Sequence, residues 1–426
     1  MTISIVKHLL TTLSAPMALV IVISVCSVDV ASAIERRRDQ FLDTQGYYVF
    51  IAPYSLPGIG SGVGLVGAVS NIANSYTDFY AYALGGDIEG GGFALSDVHL
   101  ISKRLVFDLI GSNFSKLFLQ NYNTRGIGGD KDDYTLLELD NNEFLGARLT
   151  GIFYDRMLEF YTMGYDGNWH ISALHDSEGD LIQTLDDSDD IDYGAFILGA
   201  RVDYTDDYQN PRVGIRLDVN ANKARDREDH SPDQYRLQYN LTGYIPFRRW
   251  DTLVLNYFQA DAVVQSEGET DPAQVAQIFA FDCTQGTTAQ QADCNNLVDT
   301  IVSANRYGTA GGLGGTSRLR AYPQNRFNGA HVRFAAVEYR WNITDESTPF
   351  NILIAKDIRT SIQMAVFYEI GAVADRSSQL YDKTRSNVGV GARMVTEGGF
   401  VIRADIATGN EGPGVSIIIG YPWESF

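Results

Sequence analysis

The sequence predicts an all-β protein: one sixteen-stranded antiparallel transmembrane β-barrel with long extracellular loops. Three observations predict it. From about residue 46 onward the chain alternates apolar residues with small or polar ones, the period-2 pattern of strands placed between lipid and lumen. It contains 41 Gly, 24 Tyr and 21 Phe among 426 residues, a composition that suits such barrels. Short and long connections also alternate, as in barrels with short periplasmic turns and long outer loops.

The N-terminus predicts a secretory signal peptide at residues 1–33. An apolar stretch follows Lys7, and residues 31–33 form an A-x-A cleavage site. A lipoprotein signal that uses Cys26 is the alternative, although the bulky Val25 stands where a small residue is expected. Residues 34–45 are then a short periplasmic segment, and 46–426 form the barrel. Beyond the signal, no stretch of about 18 apolar residues predicts a helix that crosses a bilayer.

Sixteen strands can be placed on the alternation, with boundaries uncertain by a few residues. Their predicted spans are 46–56, 61–71, 77–87, 91–101, 104–121, 143–155, 157–174, 191–204, 211–222, 233–246, 251–265, 330–343, 360–374, 385–396, 399–409 and 414–424. The residues predicted to face lipid in two of the last strands are Ile362, Met364, Val366, Tyr368 and Ile370, and Val415, Ile417, Ile419, Tyr421 and Trp423. Their neighbours in sequence are predicted to face the lumen.

The connections provide a check on the strand count. Those predicted after even-numbered strands are short: 102–103, 155–156, 247–250 and 397–398. Several after odd-numbered strands are long: 122–142, 175–190, 223–232 and 266–329. An even count places both termini in the periplasm and the long segments outside the cell.

The longest connection, 266–329, contains a polar insert. Residues 272–281 and 290–305 have a composition compatible with helices. Because the chain is exported to an oxidising compartment, Cys283 and Cys294 are predicted to form a local disulfide. A zinc site is a weak alternative, since no histidine lies near them. A disulfide-tied helical cap is the favoured interpretation of the insert, and a disordered loop is the alternative.

The segment after this insert carries a distinctive motif. A glycine-rich approach leads to Leu319-Arg320-Ala321-Tyr322, and a strand-like run ending at Trp341 follows. This segment resembles the sixth extracellular loop and twelfth strand of the BamA/TamA-type bacterial surface-antigen superfamily, which are sixteen-stranded outer-membrane barrels. In that family a Val/Leu-Arg-Gly-Phe/Tyr tip folds back into the lumen. Ala321 stands where the family has glycine.

The resemblance implies partners for Arg320 on the barrel wall. They are Glu338 on predicted strand twelve and Glu369 on strand thirteen. The latter lies in Phe367-Tyr368-Glu369-Ile370-Gly371, where the family has Phe-x-Asp-x-Gly. A guanidinium that leaves bulk water needs such carboxylates. The alternative is a solvated loop arginine and two ordinary lumen acids.

The resemblance also implies a location and a function. The expected location is the bacterial outer membrane, among lipids and lipopolysaccharide. The expected function is to assist the assembly or translocation of outer-membrane proteins or lipids. Residues 34–45 leave no room for the periplasmic POTRA domains of large family members, so the expected partners are client proteins or a separate periplasmic protein. A passive channel and a structural surface antigen are the alternative functions. The sequence does not decide whether the protein forms a homo-oligomer.

Composition and motifs argue against other classes of function. The formal net charge of −20 does not suit nucleic-acid binding. Glycines at 58, 60, 62, 64 and 67 include a formal G-x-G-x-x-G, but strand-like residues follow where a dinucleotide site needs a helix. These glycines predict either a seam between the first and last strands that opens sideways or a flexible strand without such an opening. Acidic residues at 175–192 are better explained as a solvated loop than as a cation site. We therefore expect no cofactor, no metal site and no enzyme, since no catalytic motif is present.

Overall fold

The computed structural model describes residues 34–41, 43, 45–185, 190–225, 230–248, 250–344, 349–352, 355–396 and 401–423. The predicted signal peptide, the middle of the acidic loop and the predicted turn at 397–398 lie outside the described residues. Within these residues the chain forms a closed sixteen-stranded antiparallel barrel.

The wall follows the chain order, and each strand pairs with its neighbours in sequence. Its strands are β1 (Gly46–Leu56), β2 (Gly60–Ser70), β3 (Asp78–Gly86), β4 (Glu89–Ile101), β5 (Leu105–Tyr122), β6 (Tyr134–Phe153), β7 (Leu158–His175), β9 (Ile191–Thr205), β10 (Gly214–Ala224), β11 (Asp233–Pro246), β12 (Thr252–Ser266), β15 (His331–Asn342), β17 (Ala355–Ala374), β18 (Arg385–Thr396), β19 (Val401–Gly409) and β20 (Gly412–Ile419). Among the described residues, four short strands lie in the connections between wall strands: β8 (Leu181–Thr184), β13 (Gly311–Leu313), β14 (Phe327–Gly329) and β16 (Pro349–Ile352). The part of the chain that the structure describes has two α-helices, α1 (Pro272–Ile278) and α2 (Thr288–Tyr307).

The predicted strands agree with these bounds to within a few residues, except at β6 and at the ends of β17 and β20. Strand β6 begins at Tyr134, so the predicted loop 122–142 is wrong and the connection is 123–133. The reason is that β6 pairs with β5 up to Tyr122, well beyond the span that its alternation predicts. In this extension the inner face is buried against other segments of the protein. Its inward-facing residues, such as Leu137 and Leu139, are therefore apolar, which hides the alternation of lipid-facing and lumen-facing residues.

Alternation of the two faces is clear in β17. Ile362, Val366 and Tyr368 are exposed on the outside, whereas Phe367 and Glu369 are buried inside. A barrel wall divides residues in this way because successive side chains point to opposite faces.

The predicted outward orientation of Tyr421 and Trp423 is wrong. Strand β20 ends at Ile419, and Gly420, with a φ of 102°, follows it. Beyond this point the chain leaves the wall and enters the lumen, where both aromatic side chains are buried. A positive φ suits glycine, which lacks a Cβ atom.

Helices α1 and α2 form a cap inside the end of the barrel at which β12 ends and β15 begins. The predicted disulfide between Cys283 and Cys294 is confirmed, and it ties the end of the α1 segment to α2. Asp271 and Thr287 cap the two helix N-termini. The apolar side of the cap packs against inward-facing residues of the extended strands, including Leu137, Leu139, Ile171 and Leu174. Among the described helices, none is long and apolar enough to span a bilayer.

Candidate functional site

Residues 311–329, here called the lumen hairpin, carry the arginine motif into the barrel. Strands β13 and β14 pair as its stem. Its tip is a turn in which the Tyr322 N–H donates to the Leu319 carbonyl at 3.0 Å. The Gly315 N–H donates to the Tyr322 carbonyl at 2.8 Å. Leu319 takes the left-handed conformation with a φ of 53°, whereas Ala321 does not. The alanine at the family glycine position therefore needs no unusual backbone torsion.

Arg320 ends inside the barrel, 1% exposed, in contact with three carboxylates. Its Nε donates to Glu369 Oε1 at 2.9 Å, and its Nη2 donates to Glu338 Oε2 at 3.0 Å. Its Nη1 donates to Asp405 Oδ2 at 2.9 Å. The backbone N–H of Arg320 adds a bond to Glu369 Oε2 at 2.9 Å. One side chain thus connects the hairpin with β15, β17 and β19.

Three further arginines surround two of these acids. Arg340 Nε and Arg393 Nη2 lie 2.6 and 2.7 Å from the Glu338 carboxylate. Arg403 pairs with Asp405. We call these three acids and four arginines the ion network. All seven side chains are buried, and charged groups in such a place require close partners.

Glu369 is held differently from the other two acids. Apart from Arg320, the side chains that donate hydrogen bonds to it are neutral: Asn387 Nδ2 donates at 3.1 Å, and Trp423 Nε1 donates at 3.2 Å. Arg318 interacts with Glu369 through space. The guanidinium carbon of Arg320 lies 3.4 Å from the centre of the Phe367 ring and 5.4 Å from Trp423. These rings cover the charged group and exclude water from it.

Two wall glycines allow the hairpin to approach closely. A Cβ atom at Gly371 would lie 2.4 Å from Leu313 and 3.3 Å from Leu319. A Cβ atom at Gly414 would lie 2.8 Å from the Ala321 carbonyl oxygen. The glycine that this contact requires is therefore on the wall and not at the tip.

Tyr322 anchors the other side of the tip. Its hydroxyl donates to the Ser386 carbonyl at 3.0 Å and accepts from the Asn410 N–H at 3.2 Å. Further out along the hairpin, Arg326 forms a bidentate pair with Glu411, both bonds at 2.9 Å. Such paired bonds are strong and directional, so they fix the position of the hairpin.

The structure thus brings together all eight loop-to-wall residues that the sequence singles out. Sequence reasoning missed Asp405 and Trp423. The signal for Asp405 is present, because it lies on the inward-facing set of its strand. Trp423 gives no such signal, since its burial depends on the turn at Gly420.

The seam between β1 and β20 differs from the other seams of the wall. Among the described residues, register pairing there is limited to Ser55 with Ile417. The Ser55 hydroxyl also donates to the Val415 carbonyl at 3.2 Å. On its other edge β1 forms eleven register pairs with β2. The barrel therefore closes through its least-paired seam at this point.

Comparisons with known proteins place this barrel among distant structural neighbours. No protein-family model matches the chain, and no curated protein matches it in sequence. BamA from Haemophilus ducreyi lacking POTRA domains 1–3 has a TM-score of 0.47 and 11% identity, over 88% of this chain and 69% of that one. CdiB from Escherichia coli has a TM-score of 0.49 and 11% identity, over 90% and 60%. OprD from Pseudomonas aeruginosa has a TM-score of 0.36 and 11% identity, over 90% and 96%. At these values the similarity is one of barrel architecture alone.

Proposed function

We propose that this protein is an outer-membrane barrel that assists the insertion or translocation of a polypeptide or lipid, which it meets at the β1–β20 seam. The observation that carries this proposal is the single register pair between these strands. Opening this seam would break few backbone hydrogen bonds, whereas opening a fully paired seam would leave many groups unsatisfied in lipid.

The outer wall supports a membrane location. Its outward-facing positions carry large exposed apolar residues around the barrel, among them Ile51, Leu145, Phe196, Val390 and Ile406. A contiguous apolar belt of this kind would be unfavourable in water, and it suits a hydrocarbon environment.

The lumen hairpin supports a lateral route for the client rather than an axial one. The ion network and the bonds of Tyr322 and Arg326 hold the hairpin inside the barrel. A sixteen-stranded barrel is wide enough for an aqueous lumen unless something fills it. Here the hairpin occupies part of that space, so the seam is the better candidate for contact with a client.

A disulfide across the seam tests this proposal. The variant Ser55→Cys with Ile417→Cys joins the one registered pair of β1 and β20. We expect the oxidised variant to fold and to reach the membrane, but to lose its support of outer-membrane protein and lipid assembly in cells that depend on it. Reductant should restore function.

The matched control uses the same cysteine in β1. Ser55→Cys with Ser61→Cys joins the registered pair at the β1–β2 seam, which the proposal requires to stay closed. This cross-link should leave function unchanged. Full activity of the oxidised β1–β20 variant would refute the proposal, and equal loss in both variants would show that the cross-links only disturb the wall.

A further inference from the structure

Three consecutive rows of lumen-facing residues cross the eight strands β1–β7 and β9. Within a row each residue is the registered partner of the next. The first row is Phe50, Val66, Tyr82, Gly92, Ser112, Phe144, Gly167 and Tyr193. The second row is Tyr48, Ala68, Tyr80, Ala94, Ile110, Gly146, Tyr165 and Ala195. The third row is Ala52, Gly64, Leu84, Gly90, Phe114, Asn142, Trp169 and Ile191.

None of these residues is charged, and nine of them are aromatic. We call this surface the inner apolar wall. With strands about 4.8 Å apart and about 3.3 Å per residue along them, it measures roughly 13 Å by 34 Å. The lumen face of the other half of the barrel carries the ion network instead. Charged residues begin in the next lumen-facing row towards the N-terminal segment, where Asp108 is the registered partner of Arg148. Interiors of transmembrane barrels are ordinarily polar, so three uncharged rows in succession require an explanation.

The rings of this wall lie flat against the strands where glycine makes room for them. A Cβ atom at Gly92 would lie 2.8 Å from Tyr82 Cζ, and one at Gly167 would lie 2.4 Å from Tyr193 Cζ. All nine aromatic residues remain partly exposed. The hairpin and the cap therefore do not fully cover these residues.

The wall has a boundary at each end of the barrel. At the outer end, Trp169 and Ile191 pack against the hydrophobic cluster of the cap. At the periplasmic end, Phe41 from the N-terminal segment packs with Val106 and Ile152. The guanidinium carbon of Arg156 lies 4.7 Å from the centre of the Phe41 ring. The uncharged surface thus ends at the cap on one side and at the segment packed around Phe41 on the other.

We infer that the inner apolar wall binds the acyl chain of a lipid. An acyl chain brings no hydrogen-bonding groups, and this wall offers few partners for them beyond the tyrosine hydroxyls, Ser112, Asn142 and the Trp169 indole N–H. An apolar peptide would bring backbone N–H and C=O groups that need partners. The inference rests on the proposed outer-membrane function and narrows its client to a lipid.

Photolabelling of the full chain in phospholipid nanodiscs tests the inference. The probes are hexadecanoic acid with a terminal diazirine and a phosphatidylethanolamine that carries the same chain. We expect adducts on inward residues such as Tyr82 and Phe144, together with adducts on outward residues such as Leu145 and Phe196. Labelling of inward residues by the free acid alone would identify the ligand as a fatty acid. Labelling of these residues by both probes would identify it as a membrane lipid.

A pair of variants controls the labelling. Tyr82→Glu with Phe144→Glu should reduce inner adducts by about tenfold, because a charge is poorly accommodated beside hydrocarbon. Tyr82→Phe with Phe144→Tyr preserves both rings and should retain the labelling. Outward adducts should stay unchanged in both variants, which shows that the barrel is folded and embedded.

Three outcomes would overturn the inference. Adducts confined to outward residues would refute the inner site while leaving the membrane location and the seam intact. Inner labelling that survives both glutamates would show non-specific entry of the probe. If benzoylphenylalanine placed at position 82 captures a polypeptide in cells and no lipid adduct forms, the ligand of the wall is a peptide. Failure of the seam cross-link with inner labelling retained would instead count against the proposed function alone.

Discussion

At the scale of single residues, Glu369 depends on Arg320 more than the other acids of the ion network do. Glu338 retains Arg340 and Arg393 if Arg320 is removed, and Asp405 retains Arg403. Glu369 would keep only neutral hydrogen-bond partners, with Arg318 as a cation that acts on it through space. A buried carboxylate without a cation is costly, so the cost of losing Arg320 should fall mainly on this acid.

This asymmetry gives a prediction for paired substitutions. Arg320→Ala should destabilise the folded barrel by about 3–5 kcal/mol, the cost typical of breaking a buried ion pair from one side. Arg320→Met with Glu369→Gln removes both charges and should cost clearly less than Arg320→Ala alone. Arg320→Glu with Glu369→Arg should restore part of the loss. Stability is measured as the temperature at which the barrel loses its heat-modifiable migration in gel electrophoresis. Protease cleavage within 314–326 reports release of the hairpin.

An exposed arginine provides the control. Arg306 lies near Glu267 at 4.0 Å on the surface of the cap, and surface pairs contribute little. Arg306→Ala should leave both measurements unchanged. If Arg320→Ala were as mild as this control, the ion network would not be what holds the hairpin.

At the scale of elements, an N-terminal strap, residues 34–41, is tied to the β9–β10 turn. Arg37 Nη2 donates to Asp207 Oδ2 at 3.0 Å and to the Asn210 carbonyl at 2.6 Å. Arg38 Nε donates to the same Asp207 oxygen at 2.6 Å. Burial alone would raise the pKa of the Asp207 carboxyl, but Arg38 and Arg37 outweigh it and hold the pKa below its ordinary value.

The strap should therefore be released by acid. A carboxyl with a depressed folded pKa contributes stability above its unfolded pKa, about 3.9, and loses it as pH falls through the folded value. A spin label at Glu35→Cys should be immobile from pH 8 to 5 and become mobile below about pH 4. With Asp207→Asn the label should be mobile already at pH 7. A label in the parent background that is equally mobile at all pH values would show that these contacts do not hold the strap.

The cap yields a separate prediction about its disulfide. Cys283 and Cys294 are 11 residues apart, and closing so short a loop contributes roughly 2–3 kcal/mol in the entropy model. Reduction should accelerate hydrogen exchange in α1 and α2 and leave the barrel strands protected. Cys283→Ser with Cys294→Ser should reproduce this pattern under oxidising conditions. Loss of protection throughout the wall would mean that the cap is needed for the barrel itself.

The sequence predicts the positions of the strands better than it predicts which residues contact each other between distant strands and loops. Alternation alone places the strands because it is a local property of the chain. The extension of β6 is missed, since its inner face is covered by the cap and not by lumen water. The inward turn before Tyr421 and Trp423 is missed because glycine at 420 also fits a continuing strand. Arg320 and Asp405 are 85 residues apart, so their contact depends on strand registers that no local pattern contains.

At the scale of the whole molecule, the lumen is divided into two walls. Strands β1–β7 and β9 present the inner apolar wall, and strands β15, β17, β18 and β19 hold the hairpin through the ion network. The net charge of −20 suggests a cation-selective pore if the lumen were open. Without the hairpin, however, the network would leave three acids and three arginines, Glu338, Glu369 and Asp405 with Arg340, Arg393 and Arg403. The local charge of that wall would then balance.

This division predicts the conductance of the barrel in planar bilayers. The intact protein should show small, irregular openings, because the hairpin occupies the lumen and is held by buried ion pairs. Replacing 315–324 with a short Gly-Ser linker should give large, steady conductance, since sixteen strands enclose an aqueous path once the lumen is cleared. The balanced charges of the wall predict only weak ion selectivity for this variant. Cys283→Ser with Cys294→Ser alters the outer cap but not the hairpin, and it should conduct like the intact protein. Large, steady, cation-selective currents from the intact protein would contradict a closed lumen and identify a passive channel instead.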